Sequence, residues 1–99
     1  MTFDIPSQNR VIGFYGRDAQ AMVHAEELAE LIRAVSKMRR VRHSGADDGR
    51  TLDNLVDEMA DVYICLTQMQ VMYDIPDHAI QDTIYRKCAR QEARLDDAH

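Results

Sequence analysis

TLDNLVDEMADVYICLTQMQVMY, residues 51 to 73, places apolar side chains at Leu55, Met59, Val62, Leu66, Met69 and Tyr73. The steps between them alternate between four and three, the period of a helical seam, and no period-two reading competes with it. The spacing predicts a helix from Thr51 to Tyr73, with Thr51 or Asp53 as N-cap. Pro76 stops it shortly after Ile75.

Upstream lies HSGADDGR, His43 to Arg50, whose two Gly and two Asp predict a loop. Before the loop, Met22, Ala25, Leu28, Ala29, Ile32 and Val35 recur at helical spacing and predict a helix from Asp18 to Met38. The end of that segment is basic, with Lys37, Arg39, Arg40 and Arg42. Cations there offset the helix dipole or contact phosphate, and the spacing does not choose between the two. Residues Ile5 to Tyr15 read as a short helix ending at Gly13 or Gly16. Downstream, Ile80, Ile84, Cys88 and Gln91 predict a helix from Asp77 to Leu95, with an apolar face thin enough to pack on one side only. The expected fold is all-α, a single domain over residues 1–99: three long helices and a short N-terminal one, completed by oligomerisation. Three such helices leave one face of the bundle uncovered, and a chain this short buries a modest core.

Composition narrows the function. Six Met, two Phe and no Trp favour aliphatic helix packing over a β-sandwich. A net charge of −5 argues against a polymeric nucleic-acid partner, which demands a basic face. A single nucleotide stays compatible, because a divalent cation bridges acidic side chains to phosphate. Cys65 and Cys88 form no metal-ligand cluster and read as buried thiols of a reducing compartment. No run approaches the length of a membrane span. The opening MTFDIPSQNRVIGFYG lacks the basic and apolar regions of a secretion signal. The expectation is a cytoplasmic chain with no membrane partner.

The chemistry concentrates in two acidic motifs. Glu26-Glu27-Leu28-Ala29-Glu30 lies in the first long helix and Glu58-Met59-Ala60-Asp61 in the second. Residues i and i+3 share a helix face, so Glu27 converges with Glu30, and Glu58 with Asp61. With Leu55 at zero, Glu58 and Asp61 fall at about 300° and 240° round the helix, flanking the apolar seam as ligands of a half-buried metal would. Carboxylate oxygens suit Mg²⁺, and four carboxylates together repel one another unless a cation joins them. The plainer reading is a solvated acidic face in which Glu26 or Glu30 pairs with Arg33 or Lys37. Spacing alone leaves both open.

The arrangement EExxE, then 27 residues from Leu31 to Asp57, then ExxD, resembles the MazG-like all-α nucleoside triphosphate pyrophosphohydrolases. YGRDAQ (15–20), AEELAELIRAV (25–35) and DNLVDEMADVYICLTQM (53–69) are similar to the small single-domain phage and bacterial members, as is a C-terminal segment carrying Lys87, Arg90 and Arg94. The resemblance spans Ile12 to Leu95. It implies a homodimer or dimer-of-dimers tetramer in the cytoplasm, of the host where a phage encodes it. It implies Mg²⁺, with Mn²⁺ as substitute, held by Glu27, Glu30, Glu58 and Asp61, with Glu26 an outer ligand or water-orienting base. The implied reaction splits a nucleoside triphosphate between the α and β phosphates, to the monophosphate and pyrophosphate. Lys37, Arg39, Asn54, Lys87 and Arg90 are candidate substrate contacts. The alternative is a catalytically silent helical module that binds nucleotide or a partner.

Other residues offer less. His24, three before Glu27, reverses the Glu-x-x-His order of di-iron bundles, and the second helix has Asp61 where a His would be needed. His43, His78 and His99 lack ligand spacing and are expected in solvent. Tyr63 and Tyr73 read as core or interface, and Met59, Met69 and Met72 as packing.

Overall fold

Gly16 sits at φ 89° and ψ 157°, a conformation closed to residues bearing a Cβ, and so divides the N-terminal helical region in two. Helix α1 covers Asn9–Tyr15 and α2 covers Arg17–Ser44. Helix α3 runs over Arg50–Met72 and α4 over Asp77–Ala98. These come from a computed structural model that describes residues 3–46 and 49–98; no strand occurs among them. Asp47 and Asp48 of the expected loop, and His99, lie outside the described residues.

Boundaries differ from the sequence expectation on each helix: α1 begins at Asn9 and not at Ile5, and α4 continues past Leu95 to Ala98. Helix α2 continues past Met38 to Ser44, because no Gly or Pro interrupts the intervening Arg-rich turn. It stops where Gly45 turns left-handed at φ 75° and donates its N–H to the Val41 carbonyl. The basic run therefore belongs partly to the body of the helix. At the start of α3, neither Thr51 nor Asp53 is the N-cap. Gly49, at φ 82°, holds that position; Thr51 is buried inside the first turn, and Asp53 lies in the same turn, where the helix dipole favours an acid.

Helices α2 and α3 form an antiparallel hairpin, with α1 lying against both. The inner face of α2 is Gln20, His24, Glu27, Leu31, Ala34, Met38 and Val41. That of α3 is Thr51, Leu55, Glu58, Val62, Cys65, Met69 and Met72. Both stripes advance by alternating fours and threes and are buried or half-buried throughout. Here the expected seam is corrected. Leu55, Val62 and Met69 do face inward, but Met59, Leu66 and Tyr73 are exposed, and Glu58, Cys65 and Met72 take their places. On α2 the expected core positions Met22 and Ile32 are 62% and 68% exposed. Each helix carries two such stripes, which share Leu55, Val62 and Met69 on α3 and share no residue on α2. Hydrophobicity singled out the more apolar one, whereas the hairpin closes on the more polar one.

Buried polar side chains form a continuous chain across this interface. Gln68 Oε1 accepts from Gln20 Nε2 at 3.0 Å and contacts His24 Nε2 at 2.7 Å. Since an amide oxygen only accepts, His24 carries its proton on Nε2 and donates. Gln68 Nε2 donates to Gln8 Oε1 at 3.1 Å, and Gln8 Nε2 donates to the Pro6 carbonyl at 3.0 Å. Gln20, His24 and Gln68 are each at most 6% exposed. Tyr63 stays exposed and meets the Phe3 ring edge-on at 4.6 Å.

Helix α4 departs from expectation. No described residue of α4 is buried, and it packs on no other helix to a substantial extent. Cys88 on α4 is exposed, while Cys65 is buried as expected; both thiols are free. His43 and His78 are exposed, as expected. No helix among the described residues is long and apolar enough to cross a membrane.

Candidate functional site

The antiparallel hairpin sets the two acidic motifs against each other. Glu27 and Glu30 stand one turn apart on α2, as Glu58 and Asp61 do on α3. The carboxyl groups of Glu27 and Asp61 come within hydrogen-bonding range, and so do those of Glu30 and Glu58. Carboxylate oxygens of Glu27, Glu58 and Asp61 all lie within 4.8 Å of one another. Glu30 stands beside Glu58 but outside that group of three. Glu58, expected at the flank of the seam, is part of the inner stripe itself.

Two oxygens here are in an unusual position. Glu27 Oε2 and Glu58 Oε2 are shielded from solvent yet receive no hydrogen bond among the described residues. A carboxylate oxygen shielded from water and without a donor is unfavourable, the more so when charged. Desolvation raises the Glu27 pKa first, followed by the charges of Asp61 and Glu30 and then by a hydrogen bond with Asp61 and the charge of Glu58. Glu58 is raised as well, by desolvation first and then by Glu30 and Asp61. The negative field extends inward to Cys65, one turn beyond Asp61. Burial above all, then Glu27 and Asp61, push its thiol up to about 11. Such a cluster becomes stable either by holding protons or by sharing a cation, and three hard oxygens of two rigid helices match the donor preference of Mg²⁺ or Mn²⁺.

A groove of about 350 Å³ opens beside the acids, lined by Glu30, Arg33, Ala34, Lys37, Asn54 and Glu58. Its cations follow from helical spacing: Arg33 is three residues beyond Glu30 and Lys37 four beyond Arg33, on one face of α2. Asn54 is one turn before Glu58 on α3. Of the expected substrate contacts, Lys37 and Asn54 therefore reach the groove. Arg39 lines a separate basic groove with Arg40, Arg42 and His43. Lys87 and Arg90 belong to the unpacked α4 and do not line the acidic groove. Glu26 is exposed and also stands outside it.

By its sequence position Arg33 reads only as a surface ion-pair partner. The signal that would have found it is the stripe Glu27, Glu30, Arg33 or Ala34, Lys37, which keeps one face from the acids to the cations. Gln20 and Gln68 were passed over because a lone Gln in a helix gives no periodic signal. No protein-family model, curated protein or solved structure matches this chain.

Proposed function

We propose that this chain is a divalent-cation-dependent nucleoside triphosphate pyrophosphohydrolase that works as a homo-oligomer. One observation carries the reading: three carboxylates of two helices converge, two of their oxygens lack a donor, and the adjoining groove continues into Arg33 and Lys37. An acidic end and a basic end in one groove suit a polyanion bound through a metal. The resemblance of EExxE and ExxD to the MazG-like enzymes supplies the reaction, cleavage between the α and β phosphates.

Glu27, Glu58 and Asp61 would hold the ion. When bound, Mg²⁺ or Mn²⁺ neutralises phosphate charge and acidifies a coordinated water. Arg33 and Lys37 bind the outer phosphates and offset the charge that gathers on the departing pyrophosphate. Asn54 offers an amide for hydrogen bonding to the nucleotide. Glu30, next to Glu58 but outside the converging three, is the carboxylate left to take a proton from water. In this assignment Glu30 replaces Glu26 as the proton acceptor.

Incubation of the purified chain with Mg²⁺ and a panel of NTPs and dNTPs should release pyrophosphate and the monophosphate in equal amounts. Glu58→Gln combined with Asp61→Asn should lower the rate by at least ~100-fold with helical content unchanged, since even outer-shell changes at metal sites cost about 10–100-fold. Equal turnover by the substituted protein would end the proposal. Nucleotide binding without product would indicate a silent binding module instead.

A further inference from the structure

We propose that Gln68, with Gln20, His24 and Gln8, is a positioning set that fixes the axial register of α2 against α3 and so brings the acids together. The juxtaposition is visible along the hairpin. Glu30 faces Glu58; three residues back on α2 and three forward on α3, Glu27 faces Asp61. Seven residues further in the same directions, Gln20 faces Gln68 through a 3.0 Å hydrogen bond. The amide contact and both acid pairs therefore belong to one register, two helical turns apart.

The apolar members of the interface specify that register weakly. Leu31, Met38, Leu55, Val62 and Met69 are half-buried, and with the buried Ala34, Cys65 and Met72 they pack without the directionality of a hydrogen bond. The amides do not tolerate it. A slide of one turn displaces partners by about 5.4 Å, beyond hydrogen-bond reach. Gln68 Oε1 would then lose both donors, and its Nε2 would lose Gln8. The acids do not hold the register when ionised and without a cation, since they then repel. A buried polar contact that selects one alignment of two helices has this physical basis in coiled coils. Anchoring through Gln8 to the Pro6 carbonyl ties the segment before α1 to the same alignment.

What the aligned acids do rests on the metal-site reading above; the alignment itself does not, and the experiment separates the two. Cysteines at Glu30 and Glu58, in a Cys88→Ser background, report the native register by disulfide formation. Cysteines at Glu30 and Val62 report a slide of one turn. With the polar set intact, the first pair should oxidise at least ~5-fold faster than the second. In the apolar set Gln20→Leu, His24→Leu, Gln68→Met, that preference should vanish while helical content and Tm stay near the parent's. In the same set with native acids, Mn²⁺ affinity read by paramagnetic resonance should fall by ~10-fold or more. Should the apolar set fail to fold, Gln68→Glu keeps the acceptor used by Gln20 and His24 and should retain the native cross-link that Gln68→Met loses. A role confined to stability would lower Tm and leave the cross-link preference untouched, and that result overturns the proposal. If the parent binds no Mn²⁺ while the cross-link preference still depends on the polar set, the positioning role stands and the metal reading falls.

Discussion

Glu27 and Glu58 hold protons more tightly in the folded chain than in the unfolded one, because desolvation and neighbouring carboxylates disfavour their charge. Their stabilising contribution is therefore fully present below their ordinary value of 4.5 and is lost as the pH rises through their raised values. In metal-free buffer the melting temperature should fall as the pH climbs from 4.5 toward neutrality, and Glu58→Gln should flatten that fall. Mg²⁺ added at pH 7 should restore stability, by about 2.7 kcal/mol at a hundredfold excess over Kd, and should act far less at pH 4.5, where protons compete at Glu27 and Glu58. Scanning calorimetry across pH with and without Mg²⁺ checks both; no Mg²⁺ effect at pH 7 would argue against a cation among these acids. At this scale spacing was informative in part: i, i+3 steps put Glu27 on one face with Glu30, and Glu58 on one face with Asp61, and the structure brings Glu27, Glu58 and Asp61 together. Glu30's displacement from the three was not legible, since spacing places a residue on a face and leaves the side chain's direction open.

Helix ends show where local chemistry speaks and where it is silent. Helix α3 ends with Asp74 in the left-handed region at φ 53°, and the Ile75 N–H returns to the Gln70 carbonyl at 2.9 Å. That is a glycine-type C-terminal cap occupied by an aspartate. Gln70 Nε2 braces the turn by donating to Asp77 Oδ1 at 2.7 Å and to the Ile75 carbonyl at 3.3 Å. Asp74→Gly should raise stability by about 0.5 kcal/mol, and Asp74→Val should lower it by about 1–2 kcal/mol, as urea denaturation would show. Pro76 announced the stop in the sequence, but the left-handed residue did not, because Asp is uncommon there. The N-cap of α3 misled for a related reason. Thr51 is a good cap by type, yet Gly49 already satisfies the turn geometry and leaves Thr51 to be buried.

At the scale of the whole molecule the chain is more open than a compact domain. Its radius of gyration is 16.9 Å, against about 13 Å for a compact domain of 100 residues. The outer stripes carry Met22, Ile32, Val35, Val56, Met59 and Leu66 into solvent, and α4 leaves Ile84 and Leu95 uncovered. Apolar surface of this extent supports the proposed homo-oligomer. Sedimentation should therefore find the chain as a multiple of its 11.4 kDa mass, and Ile32→Asp with Leu66→Asp should shift it toward the monomer by at least ~10-fold in dissociation constant. A parent that sediments as a monomer at every concentration would refute the expected homo-oligomer.

The sequence by itself determined the helices and the faces on which its acids lie, because a period of 3.6 is a local property that any run of residues displays unaided. Tertiary structure alone decided which of the two parallel stripes closes the hairpin. Across the closed face Gln68 meets Gln20 and His24 over more than forty residues of chain, and no window along one helix contains both partners. Register between helices is a pairwise quantity, and so is the meeting of Glu27 with Asp61 that depends on it.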